Sequence, residues 1–188
     1  LTMSCGAKPL SRILVIDVTL KQRTLSYTVN TSYNIRLLQF EPYNDKWKSA
    51  FYTLNMAWLE EMSLLEPYDE YVLKNPEDSI IAKGGEIFFG LLNGEVVATV
   101  ALMPTPYGAL ELNKMAVKKE CQGRGMGHEI LTFVLDHCRL NDVKEVELYS
   151  NLKLKNAIHL YHKFGFVEIP LSKDSPYDRA DIRMKVHL

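Results

Sequence analysis

Leu110-Glu111-Leu112-Asn113-Lys114-Met115-Ala116-Val117 runs through Lys118-Lys119-Glu120-Cys121 into Gln122-Gly123-Arg124-Gly125-Met126-Gly127, and this stretch decides the fold. Its first eight residues carry the apolar alternation of a strand, and a helix follows over about Gly125–Leu140. The apolar residues of that helix, Met126, Ile130, Leu131, Val134, Leu135 and Cys138, fall on one stripe that should lie against a sheet. A strand that delivers its chain through a glycine turn into a helix exposes several backbone N–H groups at the helix start, where the macrodipole also favours negative charge. Glycines 123, 125 and 127 permit close approach and positive φ, with Lys118, Lys119 and Arg124 nearby to pair with an anion. The same letters also describe a plain tight connection.

Two nucleotide-binding readings fail on residues they require. A Walker loop needs Gly-Lys-Ser/Thr, whereas this one continues Gly127-His128-Glu129. A dinucleotide fold needs G-x-G-x-x-G and an acidic residue closing the next strand; here the spacing is G-x-G-x-G and that strand ends Tyr149-Ser150-Asn151.

Upstream of the loop, Asn93-Gly94 between two apolar runs predicts a hairpin joining Glu86–Leu92 to Val96–Met103. A second hairpin through Pro104–Gly108 leads into Leu110–Val117. Farther upstream, Asn34–Phe40 reads as a first strand. Asp45 is expected to cap a helix over Lys46–Leu65, and Pro67 and Pro76 flank a shorter helical piece. Downstream, Glu145–Tyr149 reads as a strand, Lys155–Phe164 as a helix stopped by Gly165, and Phe166–Ile169 with Ile182–His187 as a closing hairpin. This order predicts an α/β fold: a mixed, mostly antiparallel central sheet of about six to seven strands flanked by helices, with a βαβ unit across residues 110–149. Residues 1–33 are expected to form an N-terminal extension with no assigned role, and 34–188 a single domain.

The balance of 22 Lys+Arg against 23 Asp+Glu gives a formal net charge of -1, which argues against nucleic acid or an anionic membrane as partner. Three scattered cysteines give no disulfide framework, and the apolar run Ile13–Ile16 is too short to span a membrane, so a cytoplasmic protein is expected. His159 and His162 have no further ligand at metal spacing, so no metal is expected. At least two of Trp47, Phe51 and Trp58 read as core, and Glu60, Glu61 and Glu66 as a solvated helix face. Pro176–Asp181 reads equally as a substrate-binding loop or as a loop tied by salt bridges.

Gln122–Gly127 matches the Q/R-x-x-G-x-G/A signature of the GNAT superfamily of N-acetyltransferases. Farther on, Asn156-Ala157-Ile158-His159-Leu160-Tyr161-His162-Lys163-Phe164-Gly165-Phe166 resembles that family's second signature in loose form. The resemblance spans roughly residues 34–188 and implies acetyl-CoA as acetyl donor, held by Gln122, Gly123, Arg124, Gly125, Met126, Gly127 and Asn156. It further implies that the sheet splays between strands 110–117 and 145–149 to admit the pantetheine arm. The unpaired amides of Met115, Ala116 and Val117 would then stand beside the thioester.

Acetyl transfer to an amine needs a base for the nucleophile and an acid for the departing thiolate. Glu111 occupies a place resembling that of the general base in the histone-acetylating branch of the family, with Glu86 as a weaker rival. Tyr161 stands where the Leu-Tyr signature places the general acid. The expected partner is a small-molecule or peptide amine, and homodimers are common among such relatives. A non-catalytic acyl-CoA-binding or sensing module is the alternative reading.

Overall fold

The computed structural model describes residues 38–172, 175 and 177–188. The expected extension over 1–33, and residues 34–37 of the expected first strand, lie outside the described residues. Strand β1 is Gln39–Pro42. A 3-10 turn, Asp45–Trp47, then leads into α1, Lys48–Glu61. The cap is Asn44 rather than Asp45, because the extended Asn44 backbone lets its side-chain oxygen accept from Lys46 N at 3.1 Å. The helix ends before the expected Leu65, as Ser63 turns to a φ of 53°. Helices α2, Pro67–Lys74, and α3, Pro76–Ser79, follow. Pro76 forces Asn75 out of the helical region and separates them.

Strands β2, Glu86–Leu92, and β3, Glu95–Pro104, form the expected hairpin, with positive φ at both Asn93 and Gly94. They are followed by β4, Leu110–Val117; α4, Met126–Leu140; β5, Glu145–Ser150; α5, Lys155–Lys163; β6, Val167–Ile169; and β7, Ile182–His187. The seven strands lie in the order β1-β2-β3-β4-β5-β7-β6. Every neighbouring pair is antiparallel except β4–β5, the parallel pair of the βαβ unit.

Helices cover both faces of the sheet. The stripe Ile130, Leu131, Val134, Leu135 and Cys138 of α4 is fully buried with Val100, Leu102, Leu112 and Val146. The opposite core joins Phe51 and Leu59 of α1 and Val72 and Leu73 of α2 to Phe89 and Ala101. Each such side chain withdrawn from water stabilises by roughly 1.5–3 kcal/mol before ordering costs. Phe51 is core and Trp47 packs beside it, while Trp58, half-buried, faces a cavity.

The sheet opens at β4. Strands β4 and β5 pair only at Leu110↔Val146 and Glu111↔Glu147, and past Glu111 they part. The parting coincides with a bulge: the β3–β4 register shifts between Thr99 and Ala101, and Lys114 takes a φ of 49°. A bulge bends its strand, which supplies a local cause for the divergence. Two buried contacts hold it. The Thr99 hydroxyl donates to the Lys114 carbonyl at 3.1 Å while accepting from Asn55 Nδ2 at 3.0 Å. The Lys114 ammonium reaches Asp69 of α2 at 2.7 Å.

Candidate active site

A cavity of about 560 Å³ lies where β4 and β5 part. Of the residues singled out in the sequence, Glu111, Met115, Gln122, Asn156 and Tyr161 line it together.

The glycine loop divides its work. Gly123 and Gly125 adopt φ of 71° and 85°, and open space surrounds the place where a Cβ would stand. Gly127 has no positive φ; a Cβ there would meet Leu160 Cδ2 of α5 at 3.0 Å, so this glycine lets α4 and α5 approach. Gln122 Nε2 donates to the Val117 carbonyl at 3.0 Å and ties the loop to the end of β4. Among the described residues, the amides of residues 123–128 find no backbone carbonyl; the first bond of α4 runs from Glu129 N to the Gly125 carbonyl at 3.1 Å. Successive free N–H groups at a helix start form an anion cradle. Met126 contributes only its backbone to that cradle, since its side chain is buried in the core. Lys118 and Lys119 depart from expectation, bonding Glu95 and Glu61 at 2.6 Å each. Arg124 is exposed on the loop itself.

On β4, Lys118 N donates to the Val97 carbonyl on the β3 side at 2.8 Å, and Ala116 faces Thr99 in the same ladder. Strand alternation therefore turns the Val117 amide toward the gap. Glu111 lies on the cavity side, and burial raises its carboxyl pKa above the ordinary value. Hydrogen bonds from Asn113 and Tyr177 and the nearby Lys114 charge oppose this rise, while the Glu147 charge adds to it. Glu86 is elsewhere, paired with His137 at 2.8 Å.

Tyr161 projects from α5 with its ring 5.8 Å from that of Phe166. Burial pushes its hydroxyl up to about 12, and that hydroxyl makes no hydrogen bond to another described residue. Asn156 sits in the first turn of α5, exposed at the cavity, while Leu154 occupies the N-cap position.

Of the segment 176–181 before β7, Pro176 lies outside the described residues. Tyr177 and Arg179 line the cavity, and Arg179 is at the same time tied by salt bridges. It donates from Nη1 to Glu66 at 2.9 Å and from Nη2 to Asp69 at 3.1 Å, and its backbone N donates to Glu66 at 2.6 Å. Glu66 is thus not part of a solvated face. Asn113, which donates to Glu111 at 3.2 Å, was signalled in the sequence only by its alternation with Leu112 on the strand. Asp69 and Lys114 had no local signal. His159 and His162 are exposed, and the described residues contain no cluster of three metal-binding side chains. No helix among them is long and apolar enough to cross a membrane.

The model of the Acetyltransferase (GNAT) family matches residues 41–166. An acetyltransferase of the GNAT family from Staphylococcus aureus superposes with a TM-score of 0.71 at 20% identity, covering 80% of this chain and 98% of that one. A Bacillus subtilis acetyltransferase in complex with CoA gives 0.62 at 18%, over 80% of this chain and 99% of that one. An Elizabethkingia anophelis GNAT acetyltransferase with acetyl-CoA bound gives 0.56 at 18%, over 80% of this chain and 98% of that one. No curated protein matches the sequence. The chain belongs to the GNAT family of acetyltransferases, whose fold supports acyl transfer from acyl-CoA to an amine.

Proposed function

We propose that this protein transfers an acetyl group from acetyl-CoA to a primary amine by direct attack in a ternary complex. The observation that carries the reading is that one cavity gathers Glu111, Tyr161, Gln122 and Asn156 where the sheet splays. The residues present fit the donor. Free amides over residues 123–128 and the exposed Arg124 suit its pyrophosphate, Asn156 its pantetheine region, and the β4–β5 gap its extended arm. The CoA- and acetyl-CoA-bound relatives support the same donor.

When bound, acetyl-CoA supplies a thioester carbonyl as electrophile and a thiolate as leaving group. Glu111 takes the proton that the acceptor ammonium must lose, directly or through water. Its raised pKa narrows the gap to the amine it deprotonates. The Val117 amide, with Met115 and Ala116 beside it on β4, donates to charge developing on the carbonyl oxygen. The Tyr161 hydroxyl gives its proton to the departing sulfur, and with its pKa near 12 it stays protonated and available throughout the neutral range.

Tyr161→Phe is expected to lower kcat by about 100-fold while the affinity for CoA is unchanged, a typical loss for one proton-transfer group. Free-thiol release measured beside CoA titration calorimetry checks it. Unchanged kcat would remove Tyr161 from the acid's role.

A further inference from the structure

Resting on Glu111 as the base beside the acceptor, we infer that the acceptor is a primary alkylammonium with no carboxylate on the carbon that bears its nitrogen.

The charges at this end of the cavity leave one group unmatched. Lys114 pairs with Asp69 at 2.7 Å, and Arg179 spans Glu66 and Asp69, so two cations and two carboxylates neutralise one another. On the neighbouring strand Glu147 is matched by Arg183 at 2.7 Å. Glu111, in register with Glu147, accepts a hydrogen bond from the neutral Asn113 amide and has the Tyr177 hydroxyl, also neutral, nearby. Beside it Asn113 Oδ1 is buried without a hydrogen-bond partner among the described residues. The pocket therefore offers an incoming molecule a carboxylate with no ion-pair partner among the described residues and an unengaged oxygen acceptor, which call for a cation rich in N–H groups. Trp58, Tyr149 and Tyr177 line the same cavity and suit an apolar stem behind that headgroup.

A free α-amino acid would bring its own carboxylate within roughly 4 Å of Glu111, where both local cations are already committed and like charges repel. Lys153 and Lys155 also line the cavity, yet they follow the end of β5 at Ser150. Glu111 pairs with Glu147, and at a strand rise of about 3.3 Å per residue Ser150, where β5 ends before either lysine, stands roughly 10 Å farther along the strand. An amine, an amino ester or an amine on a peptide or side chain meets the requirement; the α-amino group of a free amino acid does not.

The test compares phenethylamine, phenylalanine and phenylalanine methyl ester by thiol release from acetyl-CoA, and their binding to the CoA-loaded protein by calorimetry. The amine and the ester are expected to exceed phenylalanine by about 100-fold in kcat/KM and in affinity. In Glu111→Gln, read by binding alone, that preference is expected to fall below about 5-fold. Phenylalanine performing as well as its ester, a preference that survives Glu111→Gln, or no binding of any of the three would overturn the inference. Turnover of phenylalanine as fast as that of its ester would do so while leaving the acetyltransferase reading intact, whereas failure of CoA itself to bind would remove that reading.

Discussion

Glu111→Gln is expected to lower kcat/KM for the acceptor amine by about 100- to 10,000-fold with little change in CoA affinity, the range for a positioned general base. The substitution keeps the shape and the hydrogen bond from Asn113 while removing the group that accepts the proton. The pH profile carries a second expectation. A base works when deprotonated, so the activity of the unmodified protein should fall as pH drops through the Glu111 pKa, which burial places above the ordinary carboxylate value. That limb should vanish from any residual activity of the Gln variant, leaving the acceptor's own ionisation. A Gln variant that keeps the activity and the limb would assign the proton to water or another group.

Asp69→Leu is expected to destabilise the fold by about 3–5 kcal/mol, because removing one partner of a buried ion pair leaves uncompensated charge. Asp69 is fully buried and accepts from both Lys114 and Arg179, and the Lys114 side chain is only 4% exposed. Lys114→Met added to Asp69→Leu removes the stranded ammonium, and Arg179 still has Glu66, so part of the loss should return. Urea unfolding of the two variants measures both terms. A single-variant loss under about 1 kcal/mol would mean that water reaches the pair and screens it. The network joins α2, the bulge of β4 and the segment before β7, three elements that meet at the cavity, so its integrity bears on the site as well as on stability.

Legibility in the sequence tracks how local each cause is. Asn93-Gly94 announces its hairpin because the two positive φ values it needs are intrinsic to those residues. Leu110–Val117 keeps its predicted bounds because one alternation runs the whole strand. The glycine loop announces an anion cradle for the same reason, although the distinct task of Gly127 depends on Leu160, which arrives from another helix. The cap of the first helical segment moved by one residue, from Asp45 to Asn44, because both side chains can cap and only the backbone path chooses between them. The acceptor side was illegible for a deeper reason. Asp69 meets Lys114 across 45 residues and Arg179 across 110, and nothing in any one segment marks those charges as partners rather than solvated surface. Lys118 and Lys119 show the converse: basic residues beside the loop that local reading gives to phosphate and the fold gives to Glu95 and Glu61.

The central claim is that this cavity performs acetyl transfer rather than merely holding a coenzyme. Its most direct measurement is release of free CoA thiol from acetyl-CoA with a panel of primary amines, with the N-acetyl product identified by mass. The expected result is thiol release that requires the amine and matches N-acetyl product one for one. Tight binding of acetyl-CoA with no amine-dependent thiol from any member of a broad panel would contradict it and leave a coenzyme-sensing module in its place.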